Sequence, residues 1–193
     1  MTAYAHTTFA HAADQHVAAA TIDNADLAYL PNATHQLLVE QMASAPESER
    51  RVSIIVPAQA MARPGFAGLV VEAAVATEVD LDRLEFEIEE YDLHWCDDLE
   101  PTLCDLHELG ARIAIDRFGT GLTSLSALAH LPIATIKIDE SIVAQVTCDE
   151  DVANYARAMI DVARHLRIDV IALGATSSEQ QAFFKGAGCS NFQ

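Results

Sequence analysis

Cations are scarce in this chain. Of 193 residues only 11 are Lys or Arg, two of them lysines (Lys137 and Lys185), against 29 Asp or Glu, for a formal net charge of -18. That balance excludes an ordinary nucleic-acid binder, which neutralises phosphates with Lys and Arg, and a protein that rests on anionic lipid. No run approaches the ~20 apolar residues of a membrane span. The N-terminus lacks the basic start and apolar run of a secretory signal. The four cysteines (Cys96, Cys104, Cys148, Cys189) form no CxxC pair. They read as reduced thiols, which makes the cytoplasm the expected location. There is no GxGxxG at a first strand and no Walker loop, so the common nucleotide-binding signatures are missing. Ser124 and Ser126 have no His/Asp partner pattern of a serine hydrolase.

What is present suffices for one folded domain. The hydrophobic fraction is 51% and the mean hydropathy is +0.15, enough apolar material for a core. Residues 1–32 form a poorly patterned head rich in Ala, His and Thr; the patterned domain is expected over 33–193. Asn32 or Thr34 is a candidate cap for a helix through Leu37, Leu38 and Met42. A rhythm then sets in. Strands are predicted over 51–56, 84–89, 112–116, 134–138, 168–172 and 189–192. Helices are predicted over 64–77, 97–109, a short stretch to His130, 140–166 and 178–186. Six strands alternating with helices at this spacing predict a parallel sheet with helical crossovers, either a doubly wound open sheet or a (β/α) barrel.

Three consecutive strands break the rule that a covered parallel sheet is apolar on both faces. In Leu84-Glu85-Phe86-Glu87-Ile88 the glutamates oppose the apolar residues; Asp116 opposes Ile113 and Ile115; Lys137 and Asp139 oppose Ile136 and Ile138. If the apolar face meets helices, Glu87, Asp116 and Lys137 point into a barrel near the strand C-termini, where β/α folds place their sites. Each alone reads more readily as an edge-strand residue facing water or half of a buried ion pair. Three in succession favour a site or the remains of one.

These residues carry a family resemblance. Ile115-Asp116-Arg117-Phe118-Gly119-Thr120-Gly121-Leu122-Thr123-Ser124-Leu125 resembles the DDFGTGxSSL segment of EAL domains, the cyclic di-GMP phosphodiesterases. Leu131-Pro132 with Ile136-Lys137-Ile138-Asp139 resembles their LP…KID, and Leu84 to Ile88 their LELEIT strand. Ala172 to Thr176 stands in the place of AEGVET, and Gly188-Cys189 to Gln193 resembles the GCDYxQ ending. The resemblance implies an incomplete or modified TIM-like (β/α) barrel. It also implies hydrolysis of one phosphodiester bond of cyclic di-GMP by two divalent metals, Mg or Mn, held by hard oxygen ligands.

The departures from that pattern are specific. No counterpart of the signature Glu-Ala-Leu strand is recognisable in the head, so the first one or two β/α units are expected to be missing or rebuilt. An open sheet edge would then need cover from the head, a second copy or another protein. The family's Asn ligand falls at Ile55, the second Asp of its DD pair is Arg117, the Glu of AEGVE is Leu173, and the following Glu is Thr176. Glu87, Asp116, Lys137 and Gln193 remain, with Glu87 and Asp116 as the surviving metal-ligand positions. Two carboxylates are a poor cage for two dications. The expectation is therefore a non-enzyme without a cofactor, with Mg or Mn relevant only to residual phosphodiesterase activity. It would act through contacts with a signalling or regulatory protein, or with a second copy, in bacterial cyclic di-GMP or motility signalling. The well-kept Phe118, Gly119, Thr120, Gly121 and Leu122 are its candidate interaction residues. A non-hydrolysing cyclic di-GMP receptor is the alternative, with Arg117 as a phosphate contact; a weak metal-dependent phosphodiesterase ranks third.

Overall fold

A computed structural model describes residues 7–9, 17–21, 31–44, 51–96, 98–121 and 123–193. Among the described residues the sheet has eight strands in sequence order: β1 (Thr7–Phe9), β2 (Val17–Thr21), β3 (Arg51–Ile55), β4 (Leu84–Glu89), β5 (Arg112–Phe118), β6 (Thr135–Ile138), β7 (Asp169–Ala172) and β8 (Asn191–Phe192). β1 runs antiparallel to β2, and every pair from β2 to β8 is parallel. This is the incomplete TIM-like α/β barrel that the family resemblance implied, one of the two arrangements the alternation left open, with two strands more than the six predicted. The additional pair comes from the head. β1 and β2 are built of Ala, Thr, Val and Phe without period-2 alternation, so no local pattern announces them. β2 occupies the outer edge of β3, with Val17 opposite Arg51 and Thr21 opposite Ile55. The head therefore supplies the cover that this edge requires.

Helices fill the crossovers. They are α1 (Pro31–Ser44), α2 (Ala58–Met61), α3 (Phe66–Thr77), α4 (Glu90–Trp95), α5 (Leu99–Glu108), α6 (Leu125–His130), α7 (Glu140–Val143), α8 (Glu150–Leu166) and α9 (Ser178–Ala187). α1 begins at Pro31, ahead of the two expected caps. The predicted helix over 140–166 is two helices. Asp149 breaks it: its side chain accepts from the Asp151 and Val152 amides and restarts the chain as α8. The 97–109 prediction holds as α5, which stops before Gly110 at φ +96°. α2 and α4 each form a short turn directly after a strand, too short to show a helical period.

The apolar faces of β3 to β6 pack against this helical layer. Val52, Ile54, Leu84, Phe86, Ile88, Ile113, Ile115, Ile136 and Ile138 share one core with Phe66, Val70, Leu103, Leu106 and Ile160. Phe86 meets Phe66 edge to face at 6.1 Å between ring centres. The opposite strand faces carry the buried polar residues Ser53, Glu85, Glu87, Thr135 and Lys137. Neighbouring parallel strands keep Ser53 beside Glu85 and Glu85 beside Arg112, so polar residues of successive strands form a row across the barrel.

Candidate functional site

Two polar layers line the barrel. The lower layer lies at the strand N-termini. Glu85 accepts from Arg112 Nε at 3.3 Å and from Thr135 Oγ1 at 2.9 Å, and Arg112 reaches on to Asp169 at 2.7 Å. Every member has a partner, so this layer is a structural tie between β4, β5, β6 and β7.

The upper layer lies toward the strand C-termini and contains the residues predicted from the sequence. Lys137 Nζ sits 2.5 Å from Glu87 Oε1 and 3.0 Å from Gln193 Oε1, so three residues far apart in the chain converge. Glu87 and Lys137 are each 1% exposed. Ser53 donates its hydroxyl to the same Glu87 oxygen. Burial pushes the Glu87 carboxyl up to about 7, against the opposing pull of the Lys137 ammonium, while Asp116 and Glu85 add repulsion. Asp116 is half-buried and is also raised by desolvation, with Lys137 and the Arg117 amide and guanidinium pulling the other way. Glu87, Asp116, Lys137 and Gln193 thus form one electrostatic unit. Ser53 is the member that sequence reasoning missed; its only signal is a lone polar residue among apolar neighbours in β3.

The rim above this unit is organised by a bulge. Pairing between β5 and β6 shifts register between Ile115 and Phe118, and Arg117 within it adopts φ +54°. Its guanidinium, 55% exposed, lies 3.3 Å from Asp139 Oδ2. Burial raises the Asp139 carboxyl, but hydrogen bonds from Ser141 and Arg117 outweigh it and hold the group below its ordinary range. A cavity of about 260 Å³ opens here between Glu89, Glu90, Tyr91, Arg117, Thr120 and Asp139. Leu173 stands at the end of β7, its amide bonded to Ile138 O at 3.0 Å, and Thr176 is exposed. The side chain of Ile55 lies outside the described residues.

The predicted interaction segment is anchored from below. Glu90, 2% exposed, accepts from the amides of Gly119 at 2.8 Å, Gly121 at 2.7 Å and Thr123 at 3.3 Å. Phe118 is buried, Gly119 and Gly121 are half-buried, Thr120 is exposed and bonds the Arg117 carbonyl at 3.0 Å, and Leu122 lies outside the described residues. A Cβ on Gly119, where φ is +98°, would meet Ile142 Cδ1 at 2.6 Å, so that position needs glycine, and one on Gly121 would press on the Glu90 carboxylate at 3.0 Å. Nothing local announces Glu90, because its partners are backbone amides about thirty residues away.

Comparison with known proteins agrees with this architecture. An uncharacterized signaling protein of Caulobacter vibrioides is 35% identical over 154 residues, covering 78% of this chain and 19% of that protein. The cyclic di-GMP phosphodiesterase NbdA of Pseudomonas aeruginosa is 35% identical over 111 residues, 57% of this chain and 14% of that protein. The chain thus spans a fifth or less of the length of these relatives. The PaMucR phosphodiesterase, solved as a c-di-GMP complex, superposes with a TM-score of 0.75 at 25% identity, over 84% of this chain and 68% of that one. Among the described residues no helix is long and apolar enough to cross a membrane. A sequence profile of the EAL domain matches residues 2–193, nearly the whole chain, and the chain belongs to the EAL domain family.

Proposed function

We propose that this chain is a non-hydrolysing EAL domain that acts through protein contacts in cyclic di-GMP or motility signalling. One observation carries the reading: of the positions where the family holds metal only Glu87 and Asp116 keep a carboxylate, while Ile55, Arg117, Leu173 and Thr176 stand at the others. A pair of Mg or Mn ions would bring about +4 of charge and needs several hard oxygens around each ion. At the other ligand positions the chain presents the Arg117 guanidinium on the rim, tied to Asp139, and the hydrocarbon residues Ile55 and Leu173. This donor set does not fit two dications. By contrast, the Phe118–Gly121 segment keeps its shape through Glu90, as a contact surface requires.

A receptor role is the second reading, supported by the exposed Arg117 guanidinium at the strand C-termini, a group suited to phosphate. The net charge of -18 opposes a dianion that arrives without metal. Calorimetric titration of cyclic di-GMP, with and without calcium, separates the two, followed by a turnover assay with manganese. The adaptor reading expects neither heat of binding nor linear product. Saturable micromolar binding without turnover would replace it with the receptor. Metal-dependent conversion to the linear dinucleotide would overturn both.

A further inference from the structure

In the helical layer outside the sheet, α3 packs against α1 and α5. Its outer face has no partner among the described residues. Gly68, Glu72, Val75 and Ala76 are exposed, at i, i+4, i+7 and i+8, and so share that face. Val75 is 75% exposed, more than any other large hydrophobic residue described. Gly68 sits inside the helix, where glycine is destabilising relative to other residues. A Cβ there would meet nothing within 4 Å. The packing of this chain therefore gives no reason for glycine at 68, and its effect is to leave a flat spot on an exposed helix.

Charge also sets this face apart. In a chain whose charged fraction is 21%, the only charged residues from Val52 to Thr77 are Arg63 and Glu72. Arg63 lies just ahead of α3, its carbonyl accepting from the Phe66 amide at 3.2 Å. Among the described residues neither the Arg63 nor the Glu72 side chain has an ion pair or hydrogen bond. They stand five residues before Gly68 and four after it.

We infer that this face pairs two copies of the chain, α3 against α3 and antiparallel, with the two glycines at the crossing. A two-fold axis near Gly68 brings Arg63 of each copy to Glu72 of the other, because the two positions are nearly equidistant from the glycine. The missing side chains let the backbones approach, and Val75 of each copy covers the exposed Pro64 of the other. Elsewhere the net charge of -18 makes two copies repel; this face carries one charge of each sign and matches itself. One helix face buries less than the ~800 Å² per partner of a standard interface, so the dimer is weak and reversible. The inference does not rest on the non-hydrolysing reading, since it uses none of the barrel-mouth residues.

Sedimentation equilibrium of the intact chain from about 5 to about 500 µM tests it, with a dissociation constant on the order of 10–100 µM expected. Gly68→Gln places a long side chain at the crossing and should weaken the dimer about tenfold or more. In dilute solution the same variant should melt about 1–3 °C higher, because glutamine is the better helix former. The opposite signs separate a blocked interface from a damaged fold. Arg63→Glu and Glu72→Arg should each weaken the dimer several-fold. The double variant, or an equimolar mixture of the two single variants, should recover it, since opposite charges then meet again. The charge pair decides the matter by itself if Gly68→Gln destabilises the fold. A monomer throughout the range, a dimer indifferent to Gly68→Gln, or charge reversals that do not recover in combination would overturn the inference.

Discussion

Replacing Lys137 with Met puts a number on the barrel cluster. In the parent, Glu87 titrates at about 7 in the fold and at an ordinary 4.5 when unfolded. The folded carboxyl is the weaker acid, so its contribution is fully present below pH 4.5 and is lost as pH rises through 7. Across that window the parent should lose roughly 3 kcal/mol of stability from this group, and nothing more above it. Removing Lys137 takes away the main force that favours ionised Glu87, so its folded titration moves further up. Above pH 7 the folded variant still holds the proton while its unfolded chain does not. Its stability relative to the parent should therefore fall by about 1.4 kcal/mol per pH unit. Near pH 6 both folded proteins carry neutral Glu87, and the variant no longer buries an ammonium. There the difference should be within about 1 kcal/mol. By pH 8.5 the variant should be less stable than at pH 7, relative to the parent, by about 2 kcal/mol. Urea unfolding followed by far-UV circular dichroism at intervals from pH 6 to 8.5 measures this. Glu87→Gln in both backgrounds should abolish the pH-dependent difference. A Lys137→Met penalty that stays constant across the range would refute the assignment of the proton to Glu87.

Three further outcomes are expected. Glu90→Gln should cost about 2–4 kcal/mol, since a charged acceptor of three amides is lost; amide hydrogen exchange should show Gly119, Gly121 and Thr123 losing protection together. Gly119→Ala combines φ +98° with a 2.6 Å approach to Ile142. A loss of about 1–3 kcal/mol should lower the melting temperature by several degrees, and an unchanged melt would contradict the left-handed backbone there. Ser177→Ala removes the capping box of α9 with Gln180. It should shift the urea midpoint by about 1 kcal/mol in stability without changing the slope.

Much of the fold was legible because strands and helices from β3 onward advertise themselves locally. In Leu84–Glu89 and Arg112–Asp116, alternation gave both the element and the inward face of Glu87 and Asp116. The head was not legible: Val17–Thr21 has small residues, no alternation and no carboxylate, and its place in the sheet comes only from pairing with β3. The single predicted helix over 140–166 failed at Asp149, whose capping strength competes with a helical pattern on both sides. In the site, the family motifs pointed to Glu87, Asp116 and Lys137, and the fold brings them together. Ser53 and Glu90 were not legible, because each acts on groups that lie about thirty residues away in the chain.

By itself the sequence determined the order of the strands β3 to β8 and the longer helices between them, the family, and the residue types left at the barrel mouth, since all three follow from local period and motif. Only the tertiary structure decided how those residues are used. The curl of the sheet across β4, β5 and β6 sets Lys137 against Glu87 across fifty residues, and a bulge turns Arg117 to Asp139 on the rim. The crossover after β4 delivers Glu90 to the amides of Gly119, Gly121 and Thr123. Alternation can state which face of a strand a side chain takes. Its partner on that face depends on lateral pairing, and lateral pairing is a property of the assembled sheet.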